Sequence, residues 1–297
     1  MAESFVKALE IWLPSEDGTL LEFGGGLFGA ARSFAALSRQ MCFGRGEGLP
    51  GQAWDEGRPV LLKQFAGTHF QRIAAAEAAG LMAGLAVPLF RDDALLAVML
   101  LFFGRKAATS GAVEVWHNDP RVTGDLTLED GFFGGAAESA LEPITRDTYL
   151  PRGAGLPGLA WQHEASVFMP DLAMDHHFLR GDDARQAGLN QGLAWPSAAT
   201  DGRSHVLNFL ATADCPTFGS LTAWEALAGK GAPLNLRYQL PQVGDVAGDR
   251  ALAERVRSLG RPEVRPEEGP EGVGGRLAWP LYADGRVAEV LVMGLTP

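Results

Sequence analysis

The sequence has little cysteine, no long apolar run and no cluster of basic residues. Cys42 and Cys215 are the only cysteines among 297 residues, too few for a disulfide framework or a four-thiolate metal site. No stretch approaches the roughly 20 apolar residues of a membrane-spanning helix, and the first residues lack a signal-peptide pattern. The formal net charge of −11 disfavours binding to nucleic acid, because the phosphate backbone is also negatively charged. We therefore expect a cytoplasmic protein that binds neither nucleic acid nor membranes.

Size and composition allow several folded domains. Apolar residues make up 46% of the chain and charged residues 21%, which is sufficient for buried cores and excludes wholesale disorder. A chain of this length suits two or three domains of about 100 residues each.

Internal repetition is the most informative feature of the sequence. Leu-Glu-Ile-Trp at 9–12 recurs as Val-Glu-Val-Trp at 113–116. Arg-Gly-Glu-Gly-Leu-Pro-Gly at 45–51 recurs as Arg-Gly-Ala-Gly-Leu-Pro-Gly at 152–158. Further pairs follow in the same order, which indicates a duplication: His69-Phe70 with His177-Phe178, Arg72 with Arg180, and Gly84-Leu85-Ala86 with Gly192-Leu193-Ala194.

A third copy is fainter and shorter. Leu-Ala-Trp-Pro at 277–280 repeats the same letters at 193–196, but the Gly-Leu-Pro-Gly segment is missing between this copy's first strands and that motif. Arg276 stands where the complete copies have glycine. The sequence thus predicts unit 1 at 1–106, unit 2 at 107–214 and a shortened unit 3 at 215–297.

Each complete unit shows the same order of local patterns. In unit 1 we predict a hairpin around 14–18, a helix over 32–40 and a short helix after the Gly-rich loop, started by Pro50 at its first position. A short strand at 59–65, an Ala-rich helix over 68–80 and a final hairpin follow. The order β-β-α-(α)-β-α-β-β predicts an α+β fold of repeated antiparallel sheets with helices on one face.

This arrangement resembles the GAF domain, a relative of the PAS fold. The resemblance depends on Glu-Ile-Trp-Leu-Pro in the first strand, Gly-Glu-Gly-Leu-Pro-Gly-x-x-Trp in the central loop, Phe-x-Arg, and Ala-Gly-Leu-x-x-Gly-Leu-Ala-x-Pro before the last hairpin. It implies a ligand pocket between the sheet and its helical connections, and a signal passed to an output domain. No pattern of such a domain remains in the sequence, so the resemblance implies a separate protein partner that carries the output.

The helix that precedes the first strand in the family has no counterpart here, because Trp12 comes so early in the chain. An apolar back face left without this helix should find a partner. Two arrangements follow: the units pack back to back, within the chain or in a homodimer, or neighbouring units exchange strands.

Candidate ligand-binding residues surround the expected pockets of units 1 and 2. The set is Cys42, Trp54, Phe70, Arg72, Tyr149, Trp161, Phe178, Arg180 and Asn208. An arginine next to a core phenylalanine requires an anion, which either a ligand or a carboxylate of the protein supplies. The Gly-rich loops invite comparison with phosphate cradles, but they match neither the dinucleotide pattern nor a P-loop and lack the P-loop lysine, so we favour a tight turn as the reason for their glycines.

Catalysis and metal binding have little support. Residues 169–177 contain two aspartates and two histidines without metal-ligand spacing, and no cofactor is expected. A redox enzyme of the GAF type would need several cysteines at its pocket, whereas only Cys42 lies near it. The sequence predicts a non-catalytic sensor that binds a small molecule and signals through a partner. The alternative is an interaction or dimerisation module whose pockets are filled by its own side chains.

Overall fold

The computed structural model describes residues 4–104, 111–134, 140–227, 232–241, 246–269 and 272–295. Seventeen strands and seven helices fall within these ranges. None of the helices within them has the length and apolarity to cross a bilayer.

Units 1 and 2 repeat one architecture of six strands and three helices. Unit 1 comprises β1 (Val6–Pro14), β2 (Leu20–Leu27), α1 (Arg32–Ser38), β3 (Cys42–Gly44), α2 (Gly48–Glu56), β4 (Val60–Leu62), α3 (Ile73–Ala78), β5 (Leu81–Arg91) and β6 (Ala94–Gly104). Unit 2 comprises β7 (Ala112–Asn118), β8 (Leu126–Phe132), α4 (Leu141–Arg146), β9 (Tyr149–Leu150), α5 (Gly155–His163), β10 (Val167–Met169), α6 (Gly181–Gln186), β11 (Gln191–Ser197) and β12 (Ser204–Ala211).

Unit 3 keeps the long strands and replaces the connections by one helix. It comprises β13 (Ser220–Ala226), β14 (Leu234–Leu240), α7 (Ala247–Leu259), β15 (Glu263–Gly269), β16 (Gly272–Ala283) and β17 (Arg286–Gly294). Neither α7 nor β15 was predicted, because this stretch has no counterpart in the repeat.

Each sheet takes its strands from one unit. The orders are β3-β2-β1-β6-β5-β4, then β9-β8-β7-β12-β11-β10, then β14-β13-β17-β16-β15, and the pairings are antiparallel. The predicted α+β fold of repeated antiparallel sheets is confirmed. Among the described residues no strand pairs with a strand of another unit, so the exchange of strands is not the arrangement adopted. The unit boundaries remain predictions, since residues 105–110 lie outside the described ranges.

Local details differ from the sequence prediction in three places. The Ala-rich helix was predicted over 68–80, but α3 begins only at Ile73, because residues 65–72 form turns. α2 begins at Gly48, so Pro50 occupies the third helical position rather than the first. The short strands β3 and β9 were not predicted, since two or three residues carry no periodic signal.

The apolar back faces of the three sheets meet in one shared core. Alternate residues of the first strand of each unit enter it: Leu9 and Ile11 from β1, Val113 and Val115 from β7, Leu221 and Ala223 from β13. At about 25 cal/mol per Å² of buried apolar surface, this contact is strongly stabilising. The back faces therefore cover one another within the chain, as the back-to-back alternative predicted.

The three units contact one another in a closed ring. Each contact joins the strand at one edge of a sheet to the second strand of the next unit: β4 to β8, β10 to β14 and β15 to β2. Head-to-tail contacts of this kind close a ring when the rotation per unit permits it.

Candidate functional site

The interior of unit 1 contains the buried carboxylate of Glu10, which lies two residues before Trp12 in β1. Glu10 is fully buried, and its Oε2 accepts a hydrogen bond from Trp12 Nε1 at 3.0 Å. The Ser38 hydroxyl of α1 donates to Glu10 Oε1 at 2.6 Å. Glu10 and Trp12 share the inner face of β1, because alternate residues of a strand point to the same side.

Arg72 supplies the positive charge to this carboxylate. It precedes α3 and reaches inward, so that Nη1 and Nη2 donate to the two oxygens of Glu10 at 2.5 and 2.9 Å. Nη1 also contacts Ser38 Oγ. The guanidinium carbon lies 4.3 Å from the ring centroid of Phe34 and 5.4 Å from that of Phe70. A bidentate ion pair surrounded by aromatic rings is the geometry in which a buried arginine is well stabilised.

Unit 2 repeats this network. Arg180 donates to the two oxygens of Glu114 at 2.6 and 2.9 Å, and Trp116 Nε1 donates to Glu114 Oε2 at 2.7 Å. Thr145 occupies the position of Ser38 and contacts Arg180 Nη1. Unit 2 adds one partner, because Asn208 Nδ2 donates to Glu114 Oε2 at 2.7 Å. This amide is fully buried where unit 1 has Leu100.

Unit 3 has a related network, in which the charged residues lie on other helices and strands. Trp224 Nε1 donates to Thr222 Oγ1 at 2.9 Å, so threonine replaces glutamate two residues before the tryptophan. Asp249 of α7 supplies the carboxylate, and Arg276 of β16 donates to it through Nε at 3.0 Å. The Arg276 side chain is 37% exposed, whereas that of Arg72 is 2% exposed.

The predicted site residues fall into two groups. Phe70 and Arg72 meet in the interior of unit 1, and Phe178, Arg180 and Asn208 meet in that of unit 2. These residues surround protein carboxylates.

The other four predicted residues lie away from these networks. Cys42 and Tyr149 are exposed on the short strands β3 and β9. Trp54 is partly buried against the unit 1 core. Trp161 is buried, with the Arg152 guanidinium carbon 4.4 Å from its ring centroid.

The Gly-rich loops use their backbone N–H groups within the chain. Gly46 N–H donates to Gly51 O at 2.8 Å, and Glu47 N–H donates to Gly44 O at 3.0 Å. Gly153 N–H likewise donates to Gly158 O at 2.9 Å. Groups already paired in this way do not present an anion cradle, so a tight turn accounts for the glycines.

Sequence reasoning missed the partners of the two arginines. Glu10, Glu114, Ser38 and Thr145 were not named, although the repeated Leu-Glu-Ile-Trp and Val-Glu-Val-Trp motifs contain both glutamates. A charged residue repeated inside an apolar strand is the signal that would have identified them, since such a residue is buried only when paired.

No metal cluster is formed at residues 169–177. His176 and His177 are both exposed, and His177 Nδ1 contacts Asp175 at 3.1 Å. Within the described ranges, no group of three or more His, Cys, Asp or Glu side chains is placed to hold a metal ion.

Comparison with protein families finds one match. Residues 7–118, which include unit 1 and β7, are similar to the family model of the GAF domain. No curated protein sequence matches the chain.

Solved structures, one of them of a GAF domain, are similar to about a third of the chain. The GAF domain of nlh2 from A. Aeolicus in an inactive state is 17% identical, with 34% of this chain and 59% of that chain covered and a TM-score of 0.28. The free methionine-R-sulfoxide reductase from Neisseria meningitidis with its substrate is 18% identical, with 36% and 53% covered and a TM-score of 0.26. NreA of Staphylococcus aureus, mutated in its nitrate-binding site, is 15% identical, with 37% and 78% covered and a TM-score of 0.29. This chain thus spans little more than half the length of the first two.

Proposed function

We propose that the chain is a non-catalytic GAF-type interaction module that acts through a protein partner. The observation that supports this proposal is the pairing of both repeated arginines with carboxylates of their own units. In each case a bidentate ion pair occupies the interior of the unit, between the sheet and the helical connections that were expected to enclose a ligand.

An anionic ligand would have to displace an internal partner. Separating Glu10 from Arg72 would leave an unpaired buried carboxylate, which destabilises a protein by about 3–5 kcal/mol. A ligand contact would have to exceed that loss before it gave any net affinity. The self-paired interior therefore favours a structural role for these residues.

Unit 2 carries large apolar side chains that are among the most exposed of the described residues. Tyr149, Met174 and Leu179 are 62%, 75% and 62% exposed. The corresponding residues of unit 1 are Cys42, Ala66 and Gln71, so this exposed apolar set belongs to unit 2 alone.

Charge indicates the kind of partner. Residues 107–214 contain 15 of the 36 acidic residues and 6 of the 25 basic ones, which leaves unit 2 with a net charge of −9. Two copies of this surface would repel each other in a homodimer, and a basic partner with apolar side chains is complementary.

Native mass spectrometry of the protein purified from its own host tests the closed interior. We expect the mass of the chain alone. A small molecule retained by the wild type and lost in the R180A variant would contradict the proposal.

A surface variant tests the partner. The triple variant Y149C/M174A/L179Q, which installs the unit 1 residues, should lose the protein that co-purifies with the wild type. The V122S variant is the control, because Val122 is also exposed but lies on a different loop of unit 2. Equal loss of the protein in both variants would point to a general surface effect.

Small-molecule sensing in unit 2 is the second candidate. Asn208 Oδ1 and Trp161 Nε1 are a buried acceptor and a buried donor without hydrogen-bond partners, and buried polar atoms are ordinarily paired. A ligand of unit 2 should raise the melting temperature of the wild type in a metabolite screen but not that of the N208L variant. An equal increase in both proteins would place the ligand elsewhere.

A further inference from the structure

The Gly-rich loop of unit 1 is closed by polar pairs among the residues of its own unit. Arg45 Nε donates to Asp55 Oδ1 at 2.9 Å. Glu47 accepts hydrogen bonds from Gly44 N–H at 2.9 Å and from Gln71 Nε2 at 2.8 Å. The charged side chains of this loop, Arg45 and Glu47, therefore both have partners within unit 1.

The Gly-rich loop of unit 2 keeps the turn but not these pairs. Ala154 N–H donates to Pro151 O at 3.0 Å, which is the bond that Glu47 N–H makes to Gly44 O in unit 1. The three side chains that pair in the loop of unit 1 have counterparts in unit 2 that carry no charge: Gln162 for Asp55, Ala154 for Glu47 and Leu179 for Gln71.

Arg152 consequently has no carboxylate partner among the described residues. It is exposed, and its guanidinium carbon lies 4.4 Å from the ring centroid of Trp161, which is buried. Stacking on a ring engages the face of a guanidinium and leaves the N–H groups at its edge available to an acceptor. The Trp161 ring thus holds a cation in place at the surface, and it also carries a buried Nε1 without a hydrogen-bond partner in this part of the structure.

Exposed apolar side chains accompany this arginine. Tyr149 of β9 comes three residues before Arg152 and is strongly exposed. Leu179 is equally exposed, and it takes the place of Gln71, which reaches the loop at Glu47 in unit 1. We call the surface formed by Tyr149, Arg152, Trp161 and Leu179 the loop face. It combines one cation with two apolar contacts, where unit 1 has closed polar pairs.

We propose that the loop face binds a segment of the protein partner in which one carboxylate stands beside apolar side chains, with Arg152 receiving the carboxylate. This inference rests on the proposed interaction role of unit 2 and names the chemistry of the contact. The carboxylate of the partner takes the place that Asp55 has in unit 1, and the apolar side chains cover Tyr149 and Leu179.

The repeat indicates a carboxylate rather than a phosphate. The counterpart Arg45 pairs with the carboxylate of Asp55. A phosphorylated side chain carries about two negative charges at pH 7, so the net charge of −9 on unit 2 repels it about twice as strongly as it repels a carboxylate. Over longer distances this charge attracts a basic partner, whereas the single carboxylate is bound at contact.

Nuclear magnetic resonance of the full chain tests this recognition with two model peptides. Lys-Leu-Asp-Phe-Lys and Lys-Leu-Asn-Phe-Lys, both with blocked ends, differ only in the carboxylate. At about 0.15 M salt, which screens the long-range charge, the first should bind about two- to fivefold more tightly, the range of an exposed ion pair. Its binding should shift the indole N–H signal of Trp161 and leave that of Trp54 in unit 1 unchanged.

The Q162D variant gives unit 2 the internal pair of unit 1. A β-carbon at Gly153 would meet Gln162, as one at Gly46 would meet Asp55, so the new carboxylate starts from the matching position beside the loop. The preference for the Asp peptide should disappear in Q162D. R152Q should lose the preference as well, without placing a new charge in the loop.

The D55Q variant is the matched control in unit 1. It leaves Arg45 without its carboxylate, but Cys42 and Gln71 stand where unit 2 has Tyr149 and Leu179. The Asp peptide should therefore still leave the Trp54 signal unchanged. An equal shift of the Trp54 and Trp161 signals in D55Q would show that any unpaired arginine suffices, which contradicts a specific loop face.

Three further results would overturn the proposal. They are equal affinity of the wild type for the two peptides, a preference for the Asp peptide that persists in Q162D, and the absence of any shift at Trp161.

Co-purification separates this inference from the proposed function on which it rests. Both Q162D and Y149C/M174A/L179Q should lose the protein that co-purifies with the wild type. Its retention by Q162D alone would overturn the role of the carboxylate and leave the interaction role of unit 2 in place. Its retention by both variants would overturn both.

Discussion

Units 1 and 2 pair an arginine with a carboxylate in one way, and unit 3 does so in another. In the complete units the guanidinium comes from the residue before α3 or α6, and the carboxylate comes from the first strand. In unit 3 the guanidinium comes from β16 and the carboxylate from α7. The tryptophan of the first strand is constant, and in each unit its Nε1 donates to the residue two positions earlier.

The comparison shows that the Gly-Leu-Pro-Gly helix restricts the size of the residue at the glycine below it, which is Gly84 of β5 in unit 1 and Gly192 of β11 in unit 2. In unit 2 a β-carbon at Gly192 would lie 2.5 Å from Leu156 Cδ2 of that helix and 2.9 Å from Leu172 Cδ2. Unit 3 has no such helix, and there Arg276 of β16 pairs with Asp249 of α7. In unit 3 the loss of the Gly-Leu-Pro-Gly segment and the replacement of glycine by Arg276 therefore go together.

The largest expected effect comes from breaking the buried arginine–glutamate pair of unit 1 or unit 2. R72A or R180A should lower the free energy of unfolding by about 3–5 kcal/mol, because each leaves an unpaired buried carboxylate. Urea unfolding followed by tryptophan fluorescence measures this change.

Two further variants control that prediction. R45A removes an exposed pair with Asp55 and should change stability by at most about 1 kcal/mol. The E10L/R72M double variant should lose less than R72A alone. Additive losses from the two buried residues would show that the pair is not coupled.

A second prediction concerns the glycines below α2 and α5. G192A should destabilise unit 2 by about 1–3 kcal/mol through overpacking. G84A should have the smaller effect, since its β-carbon would lie 3.1 Å from Leu49 Cδ2. Thermal unfolding of the two variants measures the difference, and a larger loss in G84A would contradict the comparison.

A third prediction sharpens the contrast with unit 3. R276A should lower stability by about 1 kcal/mol, because water already screens the partly exposed Arg276, and the buried Asp249 keeps its hydrogen bond from Thr222 Oγ1. The same urea titration applies. A loss as large as that of R72A would mean that unit 3 depends on its ion pair as strongly as the complete units do.

The smallest expected effect is that of N208L, which gives unit 2 the residue of unit 1. It removes the bond to Glu114, but it also removes the unpartnered Oδ1. These changes oppose each other, so we expect stability within about 1 kcal/mol of the wild type. The reciprocal L100N variant should lose more, since a new buried amide would enter a network that is already complete without it.

The repeat made most of the fold predictable. Letters shared between the two complete units made the order of the helices and of the strands other than β3 and β9 predictable. The loss of Gly-Leu-Pro-Gly indicated where unit 3 would differ. The start of α3 was predicted too early. The helical pattern of its alanines was extended toward the N-terminus through residues 68–72, which form turns around Phe70 and Arg72 instead.

The site was predicted only in part. Arg72 and Arg180 were correctly expected to need an anion, but the alternatives of ligand and protein carboxylate remained open. Cys42 and Tyr149 were grouped with the pocket because of their place beside the Gly-rich loop, whereas their strands hold them on the surface.

The sequence by itself determined the number of units, their α+β character and the need of two arginines for negative charge. These properties depend on local pattern and on repetition along the chain. The tertiary structure alone decided that Glu10 and Glu114 supply that charge, and that the uncovered back faces meet in one core. Each of these facts is a contact between residues far apart in the chain, which the sequence does not encode as a local pattern.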